Sequence, residues 1–288
     1  MYAPSFNYYR AGSIDEAGDL LRKHPGAKLL AGGHSLIPML KLRLASPAAL
    51  VDIGRVTELK GITAAGGGVR IGALTTHAEI AASPIVRDQC PVLAEAAKMI
   101  GDPAVRNRGT IGGNVAHADP ASDLPTVLSC LGARFTVASA GTTRTIDAAS
   151  FFTGMMSTAL GGNDLLVAVD VPARQKNQGQ AYVKFSHPAS RYAVIGVSAS
   201  LTLSGGACTA ASVALGGLTP SATRAAAVEK ALTGQRLSPE LIAQSASSVS
   251  ADLGGDVLGD VFASAKYRAA VAPVWVKRAL SLAAERAK

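Results

Sequence analysis

The spacing of apolar positions changes several times along the chain, and each change predicts an element. Ser13-Ile14-Asp15-Glu16-Ala17 has the form of a helix start, with Ser13 as N-cap and Glu16 as its capping-box partner. Leu20 and Leu21 continue the apolar face, and Pro25-Gly26 stops it. Lys28-Leu29-Leu30-Ala31 reads as a short buried strand, Leu50-Val51-Asp52-Ile53 as another, and Val69-Arg70-Ile71-Gly72-Ala73 as a third. Thr75 or Thr76 caps a helix through Ile80, and Pro91 to Ile100 is a helix with Leu93, Ala96, Ala97 and Ile100 on its apolar face. Leu124 to Leu131 is a short helix that tolerates Pro125 in its first turn. Val197-Ser198-Ala199-Ser200-Leu201-Thr202-Leu203 alternates as a half-buried strand does. Ala222 to Leu232, Pro239 to Val249 and Phe262 to Arg286 are helical, and Pro273 is expected to kink or split the last.

These elements group into three units. Residues 1–55 form a small α/β unit and residues 56–175 a second. Arg174 to Gly179 contain no large apolar side chain and read as a linker, so residues 178–288 form a separate α+β domain. A chain of 288 residues is long enough for such an arrangement.

Two glycine pairs interrupt the first two units. Ala31-Gly32-Gly33-His34-Ser35 follows the strand that ends near Leu30, and Thr110-Ile111-Gly112-Gly113-Asn114 follows the helix at Pro91. A tight turn without Cβ atoms aims backbone N–H groups at a small anion, and Ser35, Thr110 and Asn114 add side-chain donors. A helix beginning near Leu36, with Pro38 in its first turn, adds positive dipole character at the same place. Two such turns predict a dinucleotide diphosphate gripped from both sides; each alone is ordinary turn chemistry. Neither has the Gly-x-Gly-x-x-Gly spacing of a Rossmann site.

Composition narrows the class. Hydrophobic residues make up 48% and charged residues 17%, as in a globular protein. No apolar run reaches membrane-spanning length and the first residues lack a secretion-signal pattern, so a cytoplasmic location is expected. The net charge of +8 comes from scattered basic residues with 5% aromatics and no nucleic-acid motif, which excludes a nucleic-acid partner. Cys90, Cys130 and Cys208 are far apart and form no Cys-x-x-Cys pair, so neither a disulfide framework nor a cluster site is expected. His77, His117 and His187 show no metal spacing, and His117 lies close behind the second glycine pair.

The two glycine motifs, extended as Ala31-Gly32-Gly33-His34-Ser35-Leu36-Ile37-Pro38 and Thr110-Ile111-Gly112-Gly113-Asn114, resemble the FAD-binding motifs of the medium subunits of molybdenum hydroxylases, most of all the aerobic carbon monoxide dehydrogenase type. The resemblance spans nearly the whole chain: Phe6-Asn7-Tyr8-Tyr9-Arg10-Ala11, Asp102 to Gly109, Asp119-Pro120-Ala121-Ser122-Asp123-Leu124-Pro125, Lys184-Phe185, Pro188 to Ala193, Tyr267-Arg268 and Val276 to Leu280. It implies an α+β chain with a vanillyl-alcohol-oxidase-type (PCMH-type) two-subdomain FAD fold and a C-terminal α+β domain of the CO dehydrogenase flavoprotein type.

By resemblance, FAD lies between the subdomains, held by Leu30, Ala31, Gly32, Gly33, His34, Ser35 and Leu36 and by Thr110, Ile111, Gly112, Gly113 and Asn114. His34 reads as a loop residue near the diphosphate that is not covalently joined to flavin. Asp123, and after it Asp119, would bond FAD hydroxyls or an adenine edge; both also fit as local caps. Tyr192 would cover the isoalloxazine ring and Lys184 would stabilise anionic reduced flavin, against the plainer readings of core aromatic and surface charge. Arg106 and Arg108 either steer partners, pair with phosphate or form a solvated structural pair.

The implied assembly places a molybdopterin-type molybdenum cofactor on a large subunit and two 2Fe–2S clusters on a small one, in a dimer of heterotrimers, with any membrane association made through the partners. This chain would be an oxidoreductase component that passes electrons from the clusters through FAD to an external acceptor. Two rival readings are a stand-alone FAD-dependent oxidoreductase and a non-catalytic interaction protein with a relic FAD fold.

Overall fold

The computed structural model describes residues 2–139 and 141–287. The first unit runs β1 (Asn7–Arg10), α1 (Ile14–Lys23), β2 (Lys28–Leu30), α2 (Leu36–Lys41) and β3 (Ala49–Asp52), with the strands parallel in the order β1-β3-β2. Parallel strands need crossover connections, and α1 supplies the first. Its start is capped as expected: Ser13 accepts from the Glu16 N–H at 3.1 Å, and Glu16 reaches back to the Gly12 N–H at 2.7 Å. Ala17 and Leu21 of α1 pack with Val51, Ile53, Val56, Leu59, Leu74 and Leu165, so this core draws on residues well beyond position 55.

The second unit contains β4 (Ile62–Ala65), β5 (Gly68–Gly72), α3 (His77–Ala82), α4 (Pro84–Gln89), α5 (Pro91–Met99), α6 (Pro103–Arg106), α7 (Ile111–His117), α8 (Asp123–Leu131), β6 (Arg134–Ser139), β7 (Thr142–Asp147), α9 (Ala148–Phe151), a hairpin of β8 (Phe152–Gly154) and β9 (Ser157–Thr158), and β10 (Leu165–Pro172). Its antiparallel sheet has the order β4-β5-β10-β6-β7. Thr76 caps α3 in a full capping box with Glu79. Pro84, Pro91, Pro103 and Pro125 fall within the opening turns of α4, α5, α6 and α8, where the missing N–H costs nothing.

The third unit is an antiparallel sheet of β11 (Gln178–Ser186), β12 (Ala193–Ser204), β13 (Ala207–Gly216) and β14 (Thr223–Arg224), with α10 (Ala226–Leu232), α11 (Pro239–Ser247), α12 (Val249–Asp252) and α13 (Ala265–Arg286). Three expectations are corrected here. The strand around Val197 is buried on both faces from Ala193 to Leu201. One face meets α13 and the other meets α8, with Thr126 of α8 seated so close to Gly216 that a Cβ there would lie 2.1 Å from its Oγ1. Second, α13 is one continuous helix with Pro273 inside it. Ala272, Val276, Ala279, Leu280 and Ala283 bury a stripe against the sheet, and that packing outweighs the single missing N–H bond. Third, the helix expected from Ala222 starts at Ala226, because Thr223 and Arg224 pair with Leu215 and Ala214 as an edge strand.

Candidate functional site

The three units converge on a cavity of about 980 Å³. Leu21, Ala27, Lys28 and Leu29 of the first unit line it together with Ile100, Asp123, Arg191 and Tyr192, and residues of both glycine segments line it too. A volume at the top of the usual 300–1,000 Å³ range for ligand pockets suits a long ligand with distinct ends.

The first glycine segment is a source of unpaired donors. The backbone N–H groups of Gly32, Gly33, His34, Ser35 and Leu36 find no acceptor among the described residues. Ser35 precedes α2 but makes no side-chain cap bond. Successive free N–H groups around a turn form a concave anion site. Helix α2 begins at Leu36 as expected but has only six residues, so the donors rather than a helix dipole carry the attraction.

The second segment differs from the expected turn: it is the first turn of α7. Ile111 and Gly112 donate to the carbonyls of Thr75 and Ala73 at 3.0 and 2.8 Å, and Gly113 and Asn114 donate to Oγ1 and O of Thr110 at 3.1 and 3.0 Å. Its backbone donors are therefore consumed within the chain. Thr110, Gly112, Gly113 and Asn114 of this segment line the cavity. Asn114 donates to Ser122 Oγ at 2.6 Å, while its buried Oδ1 has no partner.

The glycines divide by role. A Cβ on Gly32 would stand 2.0 Å from the Arg108 carbonyl oxygen, and one on Gly112 would stand 2.5 Å from the Ala73 Cβ, so both are required by chain packing. Gly33 adopts φ +76°, a left-handed conformation open to glycine. A Cβ on Gly113 would meet little besides Thr110 Oγ1 at 3.0 Å, which leaves its outer face to the cavity.

Of the other expected site residues, His34, Ser35, Leu36, Asp123 and Tyr192 line the cavity, and Leu30, Ile111, Asp119 and Lys184 do not. Ile111 is fully buried core. Asp119 accepts from the Ala121 N–H at 2.9 Å, a local cap of the loop before α8. Asp123 does not cap α8: Tyr182 donates to its Oδ1 at 2.5 Å and Lys184 to its Oδ2 at 2.8 Å. Lys184 is therefore neither a surface charge nor at the cavity wall; its side chain is 2% exposed and lies behind Asp123. Burial pushes the Asp123 carboxyl up, against the pull of Lys184 and Tyr182. Arg106 is structural, donating to the carbonyls of Ile100 and Gly101 at 2.9 and 3.1 Å. Tyr192 is 43% exposed in the cavity wall, and burial with Asp119 and Asp123 nearby raises its phenol, so it stays protonated.

Sequence reasoning missed several participants. Tyr182 is a strand aromatic with no local mark of its partnership. Met156, Leu160 and Asp164 reach the cavity from the β8–β9 hairpin and the loop after it. The one visible signal lay in His77, which stands three residues before Ile80 on a predicted helix and proves to be a buried part of the cavity wall.

These features fit FAD: a large cavity to which all three units contribute, and a run of free N–H groups in its wall that suits a diphosphate. Comparison with known proteins agrees. The family described as FAD binding domain in molybdopterin dehydrogenase matches residues 4–174, and the CO dehydrogenase flavoprotein C-terminal domain matches residues 180–283. The chain is 40% identical over 286 residues to a carbon monoxide dehydrogenase medium chain of Hydrogenophaga pseudoflava, covering 98% of each. It is 38% identical to a glyceraldehyde dehydrogenase medium chain of Sulfolobus acidocaldarius, covering 97% of this chain and 98% of the other. A solved carbon monoxide dehydrogenase structure from Hydrogenophaga pseudoflava superposes with a TM-score of 0.96 at 41% identity, over 99% of both chains.

Proposed function

Since the chain belongs to the family of FAD-binding medium subunits of molybdenum hydroxylases, we propose that its work is electron transfer between the 2Fe–2S clusters of a small subunit and an external acceptor. Substrate oxidation then belongs to a molybdenum cofactor on a large subunit, in a dimer of heterotrimers in the cytoplasm. Bound flavin supplies the change between two-electron and one-electron chemistry. The chain itself holds and shields the cofactor. The observation that carries this reading is the run of unpaired N–H groups from Gly32 to Leu36, facing a cavity to which all three units contribute.

The diphosphate rests on that run, between the first segment and the Thr110, Gly113 and Asn114 surface. Tyr192, which lines the same cavity, would cover the flavin ring. Asp123 faces the cavity with its charge already balanced by Lys184, so it serves as an acceptor for hydroxyl or imide N–H groups without opposing the diphosphate. The three cysteines support cluster sites elsewhere: each is buried in a different part of the fold, with Cys90, Cys130 and Cys208 donating to the carbonyls of Pro172, Ser212 and Ala210. The relatives at 40% and 38% identity are named for carbon monoxide and glyceraldehyde, so this chain is compatible with partners of different substrate class.

Native purification from the host tests the reading. The chain should travel with a larger and a smaller partner and show flavin absorbance near ~450 nm. Full turnover by the chain alone would establish the stand-alone oxidoreductase; failure of the isolated chain and the complex to take up FAD would establish the relic fold.

A further inference from the structure

We propose that His77 is a third contact to the dinucleotide, donating from Nε2–H to a phosphate oxygen of the bound diphosphate. The inference rests on the FAD reading above and adds a residue outside both glycine motifs.

His77 opens α3 beside both segments. Its backbone N–H donates to the Gly109 carbonyl at 3.0 Å, and Thr76 forms an isolated antiparallel bridge with Thr110. The ring runs along Gly109, where a Cβ would stand 2.9 Å from Cδ2 and 3.0 Å from Nε2, so the residue before the second motif has no side chain and the imidazole occupies that space. His34 of the first segment is near enough for its charge to act on the ring. The imidazole thus stands where the two segments meet, and it lines the cavity while only 3% exposed.

A buried imidazole normally uses both nitrogens. Here Nδ1 is sealed without a partner, and Nε2 makes no hydrogen bond among the described residues. Burial, with lesser contributions from His34 and Arg106, draws the ring down to about 4 and keeps it neutral. A neutral imidazole carries one proton. An orphaned N–H costs more than an orphaned lone pair, so the sealed Nδ1 holds the lone pair and Nε2 holds the proton. A donor without a protein acceptor, in the wall of a cavity that also holds the unpaired N–H groups of Gly32 to Leu36, calls for an acceptor-rich ligand. A diphosphate is one, and a charged acceptor makes the bond strong. A neutral imidazole would meet the nucleotide as a dipole rather than as a full charge.

The experiment uses the full chain stripped of flavin. His77→Phe keeps the ring's bulk and removes the donor; His77→Gln restores an N–H near the Nε2 position. FAD and riboflavin, which lacks phosphate, are titrated against each. FAD affinity should fall about tenfold or more in His77→Phe and stay within about threefold of wild type in His77→Gln, with riboflavin affinity alike in all three. Unchanged FAD binding by His77→Phe overturns the proposal, and so does an equal loss for riboflavin, which would show a packing role. If wild type itself takes up no FAD, the family-based reading fails and this inference with it. Should His77→Phe not fold, ¹⁵N NMR of the wild-type imidazole decides: a proton on Nε2 that shifts on adding FAD supports the contact, and a proton on Nδ1 in the FAD-bound protein rules it out.

Discussion

Asp123 and Lys184 form an ion pair of 2.8 Å across the junction of α8 and β11, with side chains only 5% and 2% exposed. Tyr182 completes the group by donating to the second carboxylate oxygen. The three side chains tie the third unit to the start of α8, and Asp123 alone among them reaches the cavity. Removing the lysine leaves a sealed carboxylate without a counter-charge. Lys184→Met is therefore expected to cost about 3–5 kcal/mol in urea unfolding of the flavin-free chain, while Lys184→Met with Asp123→Asn should cost far less. A single-variant loss below about 1 kcal/mol would show that the pair is solvated after all.

The glycines are expected to separate by variant. Gly32→Ala and Gly112→Ala collide with the Arg108 carbonyl and with Ala73, so each should lower the melting temperature of the flavin-free chain. Gly113→Val projects toward the cavity and should leave melting nearly unchanged while FAD retention falls at least about tenfold. A Gly113→Val protein that keeps its flavin through gel filtration would contradict the position assigned to the diphosphate.

His77 makes stability depend on pH. Its folded value of about 4 lies below the ordinary 6.5, so the unfolded chain binds a proton that the folded one refuses. The contribution is complete above about 6.5 and is lost as pH falls toward 4, with a slope approaching ~1.4 kcal/mol per pH unit and a total of about 3 kcal/mol. The neighbouring charges are His34 and Arg106, while Glu79 is occupied in the Thr76 capping box. Unfolding of the flavin-free chain at a series of pH values should show this loss in wild type and a shallower one in His77→Gln. Parallel curves would assign the acid sensitivity to other groups.

Arg268, 5% exposed, is expected to be indispensable to the third unit. Its guanidinium donates to the carbonyls of Ala263, Val194 and Gly217 and to Asp260 Oδ2, at 3.1, 3.1, 2.7 and 2.5 Å. Arg268→Met removes the side-chain donors to the Val194 and Gly217 carbonyls, while the Ala263 carbonyl keeps the Asp260 N–H; lysine could serve them only in part, since one ammonium lacks the planar fork. Both variants should destabilise by at least about 3 kcal/mol, with Arg268→Lys the milder. A change of less than about 1 kcal/mol in circular-dichroism melts would contradict the role read from these contacts.

The local grammar of the chain was legible to the extent that its causes are local. Ser13 with Glu16, a threonine at 75 or 76, and the prolines opening α5 and α8 act within one turn, and their elements lie where the pattern puts them. Misreadings fell where a distant element intervenes. Alternation at Val197 signals one buried face, but small residues on the other let α8 settle there too. Pro273 signals a break, but a stripe of buried alanines and Leu280 holds α13 together.

The site divides along the same line. The order of residues was enough to establish two glycine segments, their place after an apolar stretch and the family they mark, because turn chemistry and motif spacing are properties of consecutive residues. Which segment keeps its N–H groups free was settled by folding: Thr75 and Ala73, distant along the chain, supply the acceptors that consume those of Ile111 and Gly112. Folding likewise turned Lys184 away from the cavity toward Asp123, 61 positions back, and brought His77 to the wall between the two segments. Hydrogen bonds and burial are decided by what stands opposite in space. A linear pattern can name the groups that need a partner, and the packed chain determines which of them are left with one to offer.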